Sequence, residues 1–168
     1  LGIPNASLSW DHTAKELAAN GSDKIQLLFS ANKGLAPKPF KQIASGGEMS
    51  RLMLSIKHLL AKKRVLPTLI LDEIDTGVSG EIAIKMGQML SQMGQGHQII
   101  AITHLPQIAA AGSKHWFVYK DHAGSKTVSN LRELQEEERV EEIAKMIGGQ
   151  QGYKDLLGNV RNLIQSHK

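Results

Sequence analysis

The sequence has no cysteine among its 168 residues, and aromatic residues make up only 4% of it. Without cysteine the chain forms no disulfide and no thiolate metal site, which fits a cytosolic protein. Its seven histidines show no ligand spacing such as His-x-x-x-His, so we expect no zinc site. The sequence also lacks an apolar run of about 18 residues, so no membrane-spanning helix and no membrane partner are expected.

The net charge is small, +4 at pH 7, with an isoelectric point near 9.3. This charge permits contact with nucleic acid, but an ordinary solvated basic surface is the simpler explanation of it. The length indicates one domain, and a hydrophobic fraction of 41% is enough for a core. Because the first residue is leucine rather than methionine, we expect a segment of a longer protein.

Alternating and continuous apolar runs predict the strands. Residues 7–10 and 24–30 are expected to form an antiparallel pair, with a turn at Asn20-Gly21. Residues 68–71 are expected to form a strand buried on both faces, as in a parallel sheet, and residues 98–103 a second apolar strand. A hairpin is expected near residues 115–131, with its turn at Ala123-Gly124-Ser125.

Helical spacing of apolar residues predicts the helices. One is expected from Ser45 to about Lys63, and another is expected to begin at a Ser79 cap and to stop at Gly94. A short helix should cover residues 106–111, and two helices should finish the chain, separated at Gly148-Gly149. The predicted fold class is therefore α/β, with helices flanking a mainly parallel sheet that has an antiparallel edge.

The first of these helices has an unusual start. Serine is followed three residues later by glutamate, as in a capping box made by Ser45, Gly46, Gly47 and Glu48. An apolar stripe follows, formed by Met49, Leu52, Met53, Ile56, Leu59 and Leu60. Each glycine costs a helix about 1 kcal/mol relative to alanine, but glycines let an anion approach the free N–H groups. An ordinary cap with a flexible lead-in explains this tetrapeptide equally well.

Two adjacent acids, Asp72 and Glu73, stand at the C-terminal tip of the strand predicted at residues 68–71. Open α/β sheets bind their ligands at such tips, and Mg²⁺ prefers carboxylate oxygens while keeping waters of its own. Side chains alternate along a strand, so the two acids point differently. We assign Asp72 to a water-mediated Mg²⁺ contact and Glu73 to activation of a water. The alternative is an acid pair that caps a helix or forms a salt bridge.

His104 follows the second predicted strand in the same manner. An imidazole at a strand tip can hydrogen-bond a γ-phosphate oxygen or the attacking water, although a lone histidine is often only structural. A hydrolytic site of this kind also needs a phosphate loop, Gly-x-x-x-x-Gly-Lys-Ser/Thr, and the sequence has none. We therefore expect the phosphate loop to come from an upstream segment or from another chain.

These motifs resemble those of ABC-type ATPases. Residues 45–48 resemble the signature motif, residues 69–73 the Walker B strand, Asp75 the D-loop aspartate and His104 the switch histidine. Taken in series, the strings at residues 44–51, 72–80 and 103–107 resemble the RecN family of SMC-like DNA-repair ATPases.

The resemblance implies that residues 1–168 are the C-terminal lobe of an ABC/SMC-type P-loop ATPase head. The N-terminal lobe, with the phosphate loop, and a coiled coil would lie elsewhere in the parent protein. ATP and Mg²⁺ are the implied cofactors. Glu73 and His104 are the implied catalytic residues, and Asp72 is the implied metal residue.

The resemblance further implies a homodimer of heads, in which Asp75 couples the two sites. The signature residues that would contact ATP in trans are Ser45, Gly46, Gly47 and Glu48. The implied role is repair of DNA double-strand breaks by recombination, in the cytoplasm at the nucleoid, with DNA as a partner. The isolated chain is expected to be inactive. One alternative is a DNA-bridging SMC-type head in which ATP mainly controls dimerisation, and another is a non-catalytic interaction module.

Overall fold

The computed structural model describes residues 2–39, 42, 46–63, 67–72, 74–121 and 127–167. Ser45 and Glu73, two of the predicted site residues, lie outside these ranges, as does the expected turn at residues 123–125. The described residues form three small sheets and five α-helices. None of the helices in these ranges is long and apolar enough to cross a membrane.

An antiparallel hairpin opens the chain. Strand β1 (Ser7–Ala18) pairs with β2 (Gly21–Ser30), whose other edge carries the short β3 (Lys38–Pro39). The predicted end of the first strand at residue 10 is wrong, because the polar residues that follow continue the ladder, with His12 opposite Ile25. Backbone pairing needs no apolar side chains, so alternation in the sequence underestimates the length of this strand.

Helix α1 (Gly46–Lys63) packs on the core through three buried residues that are seven positions apart, Gly47, Leu54 and Ala61. The apolar stripe predicted on this helix is not the buried face, because Leu59 is 61% exposed and Met53 and Leu60 are also exposed. The helix therefore has two apolar faces, and the described residues cover only one of them.

The parallel pair consists of β4 (Thr68–Leu71) and β5 (Gln98–Ala101), in register from Thr68 opposite Gln98 to Leu71 opposite Ala101. Burial on both faces was predicted for the first strand, and this is wrong. Leu71 is 0% exposed, whereas its neighbour Ile70 is 63% exposed. Helices cover one face of this pair, and the opposite face carries Ile70, Ile100 and Ile102 in contact with solvent.

Two helices follow these strands and complete the central core. They are α2 (Gly80–Gly94) and α3 (Pro106–Ala111), and the core contains Leu54, Leu71, Met86 and Ile108. Ser79 occupies the N-cap position of α2, as predicted, but its side chain makes no capping hydrogen bond. Met86 and Met93 are buried, so the methionines of this helix are core residues, as their spacing predicts.

The C-terminal part has a core of its own. A hairpin of β6 (Trp116–Asp121) and β7 (Val128–Glu133) precedes α4 (Glu136–Gly152), a 3₁₀ turn (Tyr153–Leu156) and α5 (Leu157–Gln165). Helix α4 breaks at Gly149, whose φ of 69° and ψ of −176° are not helical, where the sequence predicts an interruption. The second core lies between α3, α4 and α5 and contains Ala110, Val140, Ile143, Ala144, Val160 and Ile164.

Candidate nucleotide site

The tips of β4 and β5 lie at the same edge of the sheet. Their register places Leu71 opposite Ala101, and one further hydrogen bond, 2.9 Å from the Ile102 amide to the Leu71 carbonyl, extends the pairing. Neighbouring strands are about 4.8 Å apart, so Asp72 follows β4 beside the segment that carries His104. The register therefore places Asp72 and the segment that carries His104 at the same edge of the sheet, and both residues are exposed.

Asp75 lies beneath this edge as a buried carboxylate, 2% exposed. Its Oδ2 accepts hydrogen bonds from the Thr103 hydroxyl at 2.5 Å and from the His104 backbone amide at 2.9 Å. The Nδ1 atom of His104 lies 3.2 Å from the same oxygen, although the imidazole is 73% exposed. A buried charge is costly unless it is paired, and these donors supply the partners that Asp75 needs.

Thr103 connects this cluster to the next helix. Its Oγ1 accepts a hydrogen bond of 3.0 Å from the Leu105 amide, and the Leu105 carbonyl accepts from Ile108 and Ala109 at the start of α3. The hydroxyl thus donates to Asp75 and accepts from Leu105. This arrangement fixes the backbone of residues 103–105 on both sides of the histidine.

The two signature glycines have different surroundings. Gly47 is buried, and a Cβ added there would lie 2.8 Å from the carbonyl oxygen of Gly77, whose φ of +67° suits glycine. Gly46 is exposed, and a Cβ there would meet only the Thr76 methyl, at 3.8 Å. The close approach of the Gly77 backbone therefore requires glycine at position 47. Access for an anion therefore remains an explanation for glycine only at position 46.

The residues available for a metal are few. Among the described residues no group of three or more His, Cys, Asp and Glu side chains could hold a metal ion. Asp72 offers a single exposed carboxylate, which suits a Mg²⁺ ion whose other ligands are waters and substrate phosphates. Glu48 is half-buried in the first turn of α1, and Ser45 and Glu73 lie outside the described residues.

The roles of two further residues were missed at the level of sequence. Thr103 carries a signal, a polar residue directly before His104 at the end of an apolar run, but its partner is 28 positions away. Arg139, 8% exposed, donates hydrogen bonds from Nη2 to the Ala110 carbonyl at 2.7 Å and to the Gly112 carbonyl at 2.5 Å. It anchors the C-terminal end of α3 to α4, and its position within an acidic run gave no sign of this.

No protein-family profile matches the sequence. Curated relatives do match it, and all of those named here are called DNA repair protein RecN. The relative from Vibrio cholerae is 38% identical over 144 residues, which cover 86% of this chain and 26% of the relative. The relative from Halalkalibacterium halodurans is 39% identical over 135 residues (80% and 24%), and that from Rickettsia conorii is 41% identical over 164 residues (98% and 30%).

Solved structures show the same fold at lower identity. The Smc head domain from Pyrococcus yayanosii, with a coiled coil and joint, has a TM-score of 0.65 at 19% identity, covering 85% of this chain and 26% of that one. A structure from work on ATP-driven dimerisation and DNA-stimulated activation of SMC ATPases has a TM-score of 0.59 at 20% identity, covering 89% and 85%. The chain spans about a quarter of the length of the curated relatives it matches. Over that part it belongs to the RecN family, and it has the fold of an SMC-type ATPase head.

Proposed function

We propose that residues 1–168 are the C-terminal lobe of an SMC-like head that binds and hydrolyses ATP during repair of DNA double-strand breaks by recombination. The observation that carries this proposal is the single sheet edge at which β4 is followed by Asp72 and β5 by Thr103 and His104, in a chain similar to DNA repair proteins. Because the sequence has no phosphate loop, the site is completed by a second lobe of the same protein.

The solvent-exposed apolar surfaces support this second lobe. Sheets with parallel strands occur almost only with both faces covered, yet one face of the β4–β5 pair exposes Ile70, Ile100 and Ile102. The uncovered side of α1 adds Leu59 and Leu60. We assign these two surfaces to the N-terminal lobe, which would bury them in the complete protein.

The residues divide the work of hydrolysis. Water attacks the γ-phosphorus, the bond to the bridging oxygen of ADP breaks, and Glu73 takes a proton from the water. His104 would donate a hydrogen bond to a γ-phosphate oxygen, and Asp72 would hold a bound Mg²⁺ through one of its waters. Mg²⁺, when bound, neutralises charge on the phosphates.

The start of α1 acts on ATP bound to another head. Helix N-termini attract anions through their free N–H groups and dipole, and α1 is 18 residues long with an exposed Gly46 in its first turn. We propose that residues 45–48 contact the γ-phosphate of ATP held by a second copy, in a homodimer. One SMC ATPase of similar fold comes from work on ATP-driven dimerisation, which supports this arrangement.

DNA is the proposed macromolecular partner, and the cytoplasm at the nucleoid the proposed location, as the name of the relatives and the absence of cysteine support. A second candidate function is a DNA-bridging head in which ATP mainly controls dimerisation. The same similarity to SMC heads favours it. The two differ in turnover, because a head that only dimerises needs no repeated hydrolysis.

The test is Glu73→Gln in the complete protein, in which the second lobe is present. We expect the substitution to lower kcat at least about 100-fold and to leave ATP bound in a closed dimer, since it removes the base and keeps the shape. Turnover is measured by phosphate release and the dimer by light scattering. Unchanged turnover would show that Glu73 is not the base.

A further inference from the structure

We infer that Asp75 and Thr103 are positioning residues that fix the orientation of the His104 imidazole for ATP hydrolysis. This inference rests on the proposed function. It differs from the role in coupling two heads that the resemblance implies for Asp75. It also gives a role to Thr103, for which the sequence alone indicates none.

The unusual feature is the contact between the exposed imidazole of His104 and the buried carboxylate of Asp75. The His104 side chain is 73% exposed, and that of Asp75 is 3% exposed. A surface histidine would normally sample several rotamers, but here Nδ1 lies 3.2 Å from Asp75 Oδ2 and the backbone amide of the same histidine donates to that oxygen at 2.9 Å. Two contacts to one atom restrict both the backbone and the ring.

The acid also selects which ring nitrogen faces the substrate. A carboxylate only accepts hydrogen bonds, so a hydrogen bond across the 3.2 Å between His104 Nδ1 and Asp75 Oδ2 requires the proton on Nδ1. With Nδ1 protonated, Nε2 donates a hydrogen bond to a phosphate oxygen when the ring is an imidazolium, and accepts one from a water when the ring is neutral. Orientation of a catalytic histidine by a buried carboxylate follows the general logic of a base held by a third group.

Thr103 holds the acid in place. Its hydroxyl donates to the oxygen that contacts His104, at 2.5 Å, and accepts from the Leu105 amide at 3.0 Å. Loss of the hydroxyl leaves the carboxylate without one donor and the residue 103–105 backbone without a local acceptor. The histidine would then lose its fixed direction, although it would still be present.

The experiment is a double-substitution cycle in the complete protein, with kcat and KM for ATP as readouts. We expect Asp75→Asn and Thr103→Val each to lower kcat about 10- to 100-fold, while KM changes less than about threefold. When His104→Ala is already present, neither substitution should lower kcat further, because both act through that ring. Thr103→Ser restores the hydroxyl and should recover most of the loss.

Thr68→Val is the matched control, since it removes an exposed hydroxyl bond to Gln98 at the opposite end of the same strand pair. It should leave kcat unchanged. Equal losses with and without His104→Ala would overturn the inference, because they would show a general structural role. Should Asp75→Asn fail to fold, the Thr103 variants complete the same cycle. A normal kcat in His104→Ala would instead contradict the catalytic role of His104 in the proposed function, and the inference with it.

Discussion

At the scale of single residues, Gly46 and Gly47 are neighbours in sequence but differ in environment. Gly47→Ala places a Cβ 2.8 Å from the Gly77 carbonyl oxygen, a backbone atom that has little freedom to move. We expect this change to destabilise the chain by about 1–3 kcal/mol, as overpacking does. Urea unfolding measures the difference.

Gly46→Ala is the matched control, because its Cβ would make only an ordinary contact at 3.8 Å. We expect unchanged or slightly greater stability, by up to about 1 kcal/mol, since alanine favours helix more than glycine. In the complete protein the same change should weaken ATP-driven dimerisation. Equal destabilisation by the two substitutions would contradict the contrast between these positions.

His115 gives the chain a pH dependence. Burial lowers the pKa of this imidazole below its ordinary 6.5, and the nearby positive charge of Arg139 lowers it further. The folded chain therefore binds this proton less tightly than the unfolded chain, so stability falls as pH decreases through about 6.5 and the penalty is absent above that pH. Urea unfolding at pH 7.5 and 5.5 measures the loss, which should be smaller in His115→Gln. An identical loss in the variant would contradict this role.

At the scale of elements, apolar spacing identifies the elements but not what covers them. The sequence predicts helices at α1, α2 and α3 and strands at β4 and β5, and these are confirmed. It also predicts two buried faces on β4, which is wrong within the described residues, and the apolar stripe that it identifies on α1 is partly exposed there. The spacing of apolar residues along the sequence shows which of them share a face of a helix or strand, whereas their burial depends on the rest of the protein.

The exposed face of the β4–β5 pair provides a test of the second lobe. Ile70→Thr with Ile100→Thr should change the stability of the 168-residue chain by less than about 1 kcal/mol, because both side chains already contact solvent. In the complete protein the same pair should cost about 2–5 kcal/mol, the burial free energy of two isoleucines. Thermal and urea unfolding compare the two. Equal effects with and without the second lobe would show that this face stays uncovered.

At the scale of the whole molecule, sequence gives the polar residues at strand tips but not the contacts between distant segments. Asp72 and His104 could be identified as candidates because Asp72 directly follows one apolar run and His104 follows another after a single polar residue, Thr103. The bond from Thr103 to Asp75 joins residues 28 positions apart, and the approach of Gly77 to Gly47 joins residues 30 positions apart by their numbering. Such contacts depend on how the helices and loops pack on the sheet, and no local pattern encodes them.

The central claim is that the nucleotide site is divided between two lobes. This chain supplies only the residues that activate the attacking water and contact the γ-phosphate. ATP turnover by the purified 168-residue chain, with and without a separately purified lobe that carries the phosphate loop, tests it most directly. We predict no turnover by the chain alone and turnover on mixing that is lost with His104→Ala. Sustained hydrolysis by the chain alone would contradict the account.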